Sequence, residues 1–263
     1  MTVLNEQQAK FAQALFDAST SGRPLREADW NGTVTDDDTA YAVQDRVMEL
    51  KGVPVGGYKV SLTSKKTQQM FDANSPLYGQ QVDSHFLPSP ATVKLADQME
   101  PLVEVELAFR AKEDLQPSDS LEDLMRKTTV AGALEVPDSR FADWFPDLSK
   151  YNVMADCAVG GLVVYGEEHP TDQLFKNVDE LAMVNAQLYL GDRKLDEGVS
   201  KEVLDNPLNS LQWLVKKLAS QGKVFRQGQL VSSGTFVLPP KLVQGHWLVR
   251  FDHDLGSVEL TVQ

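Results

Sequence analysis

The sequence is short of cysteine, of long apolar runs and of positive charge, and each shortage excludes a class of protein. Cys157 is the only cysteine among 263 residues, so no disulfide can form within the chain. No stretch approaches the roughly 18 consecutive apolar residues of a transmembrane helix. The 38 acidic residues outnumber the 25 basic ones, and the net charge of −13 repels nucleic acid and anionic membranes. We therefore expect no nucleic-acid partner and no membrane partner.

The first residues, MTVLNEQQAKFAQALF, lack the basic segment and long apolar core of a signal peptide. Together with the single cysteine, this favours a cytoplasmic location. Histidine is also scarce: the four histidines do not form an H-E-x-x-H zinc motif. The chain contains no P-loop and no G-x-S-x-G nucleophile motif either.

The organisation of the chain changes after Gly52. Residues 1–52 have apolar residues at helical spacing and predict an N-terminal helical lobe, in which Thr35 and Asp38 resemble a capping box and Gly52 a helix stop. Residues 53–263 are rich in alternating strand patterns, with one clear helix in NPLNSLQWLVKKLASQG. The prediction is a mixed α/β protein with a small helical lobe on a larger β-rich domain.

The stretch PLVEVELAF places two acids inside an apolar strand. Because strand side chains alternate between faces, Glu104 and Glu106 share one face and their backbones lie roughly 6.5–7 Å apart. The simplest interpretation is the solvated face of an amphipathic strand. A third acid, Glu135, interrupts the apolar segment AGALEV, where a carboxylate needs a metal ion or a basic partner such as Arg140.

Three carboxylates without a matching set of cysteines and histidines favour a hard cation such as Mg²⁺, with Mn²⁺ and Ca²⁺ as alternatives. Lys59 lies in VGGYKVSLTS and shares a strand face with Gly57 and Ser61. Near a metal and a 2-oxo acid it could bind a carboxylate or transfer protons, with a lowered pKa. The alternative is a lysine on an edge strand in solvent.

Several segments in this order resemble one family. GYKVSLTSKKTQQM, SPLYG, VEVELAFR, ALEVPDSRFADW and the segment from NPLNSLQW to VSSGTF are similar to the 2-keto-4-pentenoate hydratase and 4-oxalocrotonate decarboxylase family, within the fumarylacetoacetate hydrolase superfamily. The resemblance covers most of the chain. It implies a mixed α/β roll, a Mg²⁺ or Mn²⁺ site, and a cytoplasmic homo-oligomer that can form a complex with a related subunit.

The resemblance also implies roles for individual residues. Glu104, Glu106 and Glu135 match the metal carboxylates, and Lys59 matches the active-site lysine. The positions expected near the substrate are Thr63, Ser64, Leu77, Gly234 and Thr235.

The chain departs from the family pattern at three positions, which are Ser61, Leu77 and Val159. Hydratases of the family usually have an acid where this chain has Leu77, and leucine cannot transfer a proton. The resemblance therefore implies a divalent-metal-dependent lyase acting on a short 2-oxo or 2-hydroxydienoate acid, with a preference for decarboxylation. The alternatives are C–C hydrolysis of an acylpyruvate and a catalytically degenerate partner subunit.

Overall fold

The computed structural model describes residues 2–263, in which helices and strands alternate irregularly along the chain. The α-helices are α1 (Glu6–Ser21), α2 (Asp37–Lys51), α3 (Lys65–Met70), α4 (Leu121–Lys127), α5 (Lys150–Ala155), α6 (Thr171–Leu174) and α7 (Pro207–Ser220). The strands are β1 (Val55–Ser61), β2 (Leu77–Val82), β3 (Phe86–Pro88), β4 (Ala91–Val93), β5 (Glu104–Ala111), β6 (Thr128–Val136), β7 (Leu162–Tyr165), β8 (His169–Pro170), β9 (Asn185–Leu190), β10 (Arg193–Val199), β11 (Leu230–Ser232), β12 (Gly245–Phe251) and β13 (Ser257–Val262).

Local chemistry explains where α2 begins and ends. The side chain of Asp36 accepts a hydrogen bond from the backbone N–H of Thr39, so Asp36 is the N-cap. The capping box predicted from Thr35 and Asp38 is therefore wrong by one residue. Gly52 ends the helix in the left-handed conformation at φ 66°, as predicted.

The larger sheet carries the candidate site. Its strand order is β2-β1-β11-β5-β6-β7-β3, and β8 pairs with β6. The β5–β6 pair at its centre is antiparallel, whereas β1 lies parallel to β11. A second sheet has the order β10-β9-β12-β13-β4. Strands distant in sequence therefore become neighbours, and β11 separates β1 from β5.

The two faces of β5 and β6 have different surroundings. Val105 and Leu107 point into the main hydrophobic core, which includes residues of the second sheet. A side chain at Gly132 on β6 would collide with the ring of Phe251, so the close approach of the two sheets requires glycine there. The opposite face carries the acids of both strands, and it points away from the main core.

The N-terminal helices share the core of the strand-rich part. Buried residues of α1 and α2, such as Phe11 and Val43, belong to the same hydrophobic cluster as the strands. Gln44 of α2 is fully buried and donates to the carbonyls of Tyr78 and Met154. The division into a lobe of residues 1–52 and a domain of residues 53–263 stays a prediction.

Among residues 2–263, each helix is too short or too polar to cross a lipid bilayer.

Candidate active site

Strand register brings the three predicted carboxylates together. Glu104 on β5 lies directly opposite Glu135 on β6, and Glu106 lies two residues further along the same face. One oxygen from each carboxylate lies within 4.8 Å of the others. Glu106 and Glu135 are buried, whereas the side chain of Glu104 keeps 17% of its surface accessible. The solvated-strand interpretation of Glu104 and Glu106 is therefore wrong for this pair.

Lys59 is the basic partner of the cluster. Its strand β1 is paired on both sides, by β2 and β11, so the edge-strand interpretation is wrong. The ammonium forms an ion pair with Glu135 and lies 3.9 Å from Glu104. Arg140 pairs instead with Asp156, so the proposed Arg140–Glu135 salt bridge is also wrong.

Two neutral donors orient the carboxylates. The hydroxyl of Ser232 donates to Glu135 Oε2 at 2.7 Å, and the backbone N–H of Gly234 donates to Glu106 Oε2 at 2.7 Å. Glu135 Oε1 is buried and accepts no hydrogen bond of normal geometry; its contact is the ion pair with Lys59. Sequence reasoning missed Ser232, because only the pairing of β11 with β1 and β5 places it beside Lys59.

Burial and mutual repulsion disfavour the charged forms of Glu104 and Glu106. Burial and, to a smaller extent, the charge on Glu135 raise the pKa of Glu104 to about 7 against the attraction of Lys59. Burial, followed by the charges on Glu135 and Glu104, raises the pKa of Glu106 well above its ordinary range. The single positive charge of Lys59 is therefore not enough to keep Glu104 and Glu106 at their ordinary pKa values.

Without a metal ion, the surrounding carboxylates decide the direction in which the pKa of Lys59 moves. Burial alone would lower it, but the charges on Glu135, Glu104 and Glu106 together raise the pKa of Lys59 above its ordinary value. Lys59 is therefore an ammonium group and a hydrogen-bond donor at neutral pH.

The residues present fit a divalent cation. The converging ligand atoms are all carboxylate oxygens, which suits a hard ion such as Mg²⁺ or Mn²⁺. Three ionised carboxylates and one ammonium leave two uncompensated negative charges, which a divalent cation would neutralise. Its charge would also oppose the repulsion that raises the pKa of Glu104 and Glu106.

A cavity of about 620 Å³, part of it open to solvent, adjoins the cluster. Four of the predicted substrate positions line it, namely Thr63, Ser64, Gly234 and Thr235. Gly234 has φ 120°, and a side chain there would collide with Thr63, so this wall requires glycine. Leu77 lies elsewhere, in a separate cleft lined also by Lys150 and Met154.

A strained turn supplies another wall of the cavity. Cys157, Ala158 and Val159 are all left-handed, at φ 51°, 55° and 49°, and Val159 lines the cavity. This conformation costs roughly 1–2 kcal/mol per residue. Arg140 stabilises the turn from both sides, because it forms an ion pair with Asp156 and donates a hydrogen bond to the Gly160 carbonyl at 2.7 Å.

Comparisons with known proteins relate the chain to a group of hydratases. No family model matches the chain. The chain is 31% identical over 264 residues to the 2-keto-4-pentenoate hydratase of Burkholderia vietnamiensis, covering 96% of each chain. It is 29% identical over 257 residues to the 2-oxo-hept-4-ene-1,7-dioate hydratase of Escherichia coli, covering 94% of this chain and 93% of the relative.

A solved structure shares the whole fold. The 4-oxalocrotonate decarboxylase of Pseudomonas putida G7, complexed with magnesium and adipate, superposes with a TM-score of 0.89 at 23% identity, covering 100% of this chain and 99% of the other. Structures of fumarylacetoacetate hydrolase family proteins share the fold as well. The predicted mixed α/β roll is confirmed.

Proposed function

Because the chain belongs to the 2-keto-4-pentenoate hydratase family, we propose that it is a divalent-metal-dependent lyase that hydrates a short 2-oxo-4-enoic acid. The observation that carries the proposal is the convergence of Glu104, Glu106 and Glu135 beside Lys59, next to a cavity that opens in part to solvent. Mg²⁺ is the proposed ion, with Mn²⁺ as the alternative. The cytoplasmic location and the homo-oligomeric state stay predictions.

The choice of hydration over decarboxylation rests on two points. The full-length relatives described above are hydratases. The preference for decarboxylation depended on Leu77, whose side chain lies in another cleft and therefore has no direct part in proton transfer within the cavity.

The proposed reaction adds water across the C4=C5 double bond, so that a hydrogen ends on C5 and a hydroxyl on C4. Glu104, Glu106 and Glu135 would hold the cation. When bound, the cation would supply Lewis-acid polarisation of the substrate's 2-oxo group. Conjugation of the double bond with that group would make C4 electrophilic toward water.

The protein groups orient the acid and move protons. Lys59, kept as an ammonium group by its carboxylate neighbours, would donate a proton to C5 of the 2-hydroxydienoate form and take up the proton that the 2-hydroxyl releases. Water would then add its hydroxyl to C4 and its proton to C3. Gly234 and Thr235 also line the cavity and would shape the place of the substrate carboxylate. Their donors are already used, because the Gly234 N–H bonds to Glu106 and the Thr235 hydroxyl donates to the Val237 carbonyl. The acylpyruvate hydrolase alternative calls for a histidine near the metal, and His85 lines a different cleft.

The direct test is turnover of 2-hydroxypenta-2,4-dienoate by the purified protein with Mg²⁺. We expect saturable turnover that chelation with EDTA abolishes and Mg²⁺ restores. Glu106→Gln should lose activity, whereas Glu167→Gln, a matched change at an exposed acid, should retain it. Inactivity on this compound and on 4-oxalocrotonate would overturn the lyase assignment and favour the degenerate-subunit alternative.

A further inference from the structure

The part of the cavity away from the carboxylates has its own chemistry. We propose that it selects 2-oxo acids with an uncharged, apolar far end and rejects those that carry a second carboxylate there. The inference rests on the proposed function, because it takes the keto-acid end of the substrate to lie at Glu104, Glu106 and Lys59.

Apolar side chains form this outer wall, and they come from segments that contribute none of the three carboxylates. They are Phe71, Trp144, Phe145, Val153, Val159 and Leu238. The rings of Phe71 and Phe145 lie 6.4 Å apart, and those of Phe145 and Trp144 lie 5.5 Å apart. These three rings form one contiguous aromatic surface.

The polar group of this surface is already satisfied. The indole N–H of Trp144 donates to the carbonyl of Glu100 at 2.9 Å, so its ring offers the cavity only apolar atoms. Val159 adds another apolar side chain to the same wall.

Among residues 2–263, no basic side chain in the lining of the cavity is free to pair with a second carboxylate. Lys59 is the one basic residue that lines the cavity, and Glu135 and Glu104 already surround its ammonium. The guanidinium of Arg140 is committed to Asp156 and to backbone carbonyls.

The cleft outside the cavity mouth does not supply the missing charge. It shares Ser64, Thr67, Thr235 and Leu238 with the cavity, so it borders the mouth directly. Lys66 lines it, but so do the acids Asp196, Glu197 and Glu202. A dicarboxylate would therefore meet net negative charge before it met the apolar wall.

The expected discrimination is large. A carboxylate placed against the aromatic surface loses its hydration without gaining a partner, whereas a methyl group there is buried favourably. An unpaired buried charge of this kind lowers binding by about 100-fold or more. An apolar wall can also promote loss of a carboxylate as neutral CO₂, and preferential turnover of a diacid in the experiment below would indicate that role instead.

The test compares three compounds with the purified, Mg²⁺-loaded protein: 2-hydroxyhexa-2,4-dienoate, 2-oxohept-4-ene-1,7-dioate and 4-oxalocrotonate. The first two share a carbon skeleton through C6 and differ at the far end by a carboxylate on C6. We expect kcat/KM to be about 100-fold or more higher for the hexadienoate. Equal or better turnover of either diacid would overturn the inference and leave the lyase function intact. Inactivity on all three would overturn the inference, and the lyase function falls too only if 2-hydroxypenta-2,4-dienoate is also not turned over.

A variant tests the wall itself. Leu238 lines the cavity and is 43% exposed, so a longer charged side chain fits there without repacking the core. Leu238→Arg should raise the ratio of diacid to monoacid kcat/KM at least about tenfold over Leu238→Gln, the uncharged control. An unchanged ratio would contradict the placement of the substrate's far end beside Leu238.

Discussion

Replacing Glu106 with glutamine tests the metal centre, because the substitution should change the melting temperature only when the ion is present. Glu106 is buried and repelled by Glu135 and Glu104, and its pKa lies well above the ordinary range. Without a cation this shift of the pKa favours the neutral, protonated form of Glu106. Glutamine has nearly the same shape, and its carbonyl can still accept the hydrogen bond from Gly234. We therefore expect Glu106→Gln to leave the metal-free melting temperature almost unchanged.

The response to Mg²⁺ should differ sharply. An ion that binds only the folded state stabilises it by about 2.7 kcal/mol at a concentration of 100 times its Kd. Unfolding entropies of about 2.1 cal/mol/K per residue convert that gain into a rise in Tm of about 5 °C for a chain of this size. Glu106→Gln removes one of three anionic ligands, so the rise should shrink toward zero at the same Mg²⁺ concentration.

The assay is thermal melting of the wild type, Glu106→Gln and Glu167→Gln, each with EDTA and with Mg²⁺. The exposed control should keep the full Mg²⁺-dependent rise, which separates loss of a ligand from a general change in surface charge. A wild-type protein that does not respond to Mg²⁺ or Mn²⁺, or a Glu106→Gln protein that responds fully, would refute the assignment of the metal to these carboxylates.

Lys59→Met keeps much of the side-chain stem but removes the ammonium. It should lower kcat by about 10²- to 10⁴-fold, while the Mg²⁺-dependent rise in Tm persists. A loss of kcat below tenfold would argue against proton transfer by Lys59. Because burial raises the pKa of Glu104 to about 7, a proton competes with the ion for this carboxylate. The affinity for Mg²⁺, measured by titration calorimetry, should therefore fall about tenfold per pH unit below pH 7. Equal affinities at pH 6 and pH 8 would contradict this competition. Burial lowers the pKa of His85 to about 3, so between pH 6.5 and pH 3 the unfolded chain takes up a proton that the folded chain excludes, and stability is lost as pH falls. His85→Gln should therefore reduce the acid loss of stability by up to about 1.4 kcal/mol per pH unit in urea unfolding at pH 7, 6 and 5, and unchanged slopes would count against it. Arg140→Met leaves the buried Asp156 without its partner and should lower the free energy of unfolding by about 3–5 kcal/mol in the same assay. Adding Asp156→Asn should recover part of this loss. A double variant no more stable than Arg140→Met would contradict the pairing.

Features with a short sequence range could be predicted well. The two-residue period of a strand was enough to place Glu104 and Glu106 on one face. Glycine's tolerance of the left-handed conformation was enough to end α2 at Gly52. The helix predicted in NPLNSLQWLVKKLASQG begins at Pro207, because proline suits the first turn of a helix, where its missing N–H has no partner to lose.

Features that depend on non-local pairing could not be predicted. The segment from Ala158 to Gly166 has the composition of a long strand, but the strand begins only at Leu162. The left-handed turn before it is held by Arg140, which is distant in sequence and whose partner Asp156 gave no local signal. The position of Leu77 was also beyond local reasoning, because the walls of the cavity come from segments far apart in the chain.

The charge state of Lys59 shows why the chemistry of the site needed the fold. From the sequence, Lys59 is expected to have a lowered pKa when it lies near a bound metal and a 2-oxo acid. Three strand pairings, β1 with β11, β11 with β5 and β5 with β6, instead place it among carboxylates that outweigh the effect of burial. A cation bound by the same carboxylates would withdraw part of that stabilisation, so metal binding itself would bring Lys59 closer to the range in which it can exchange a proton.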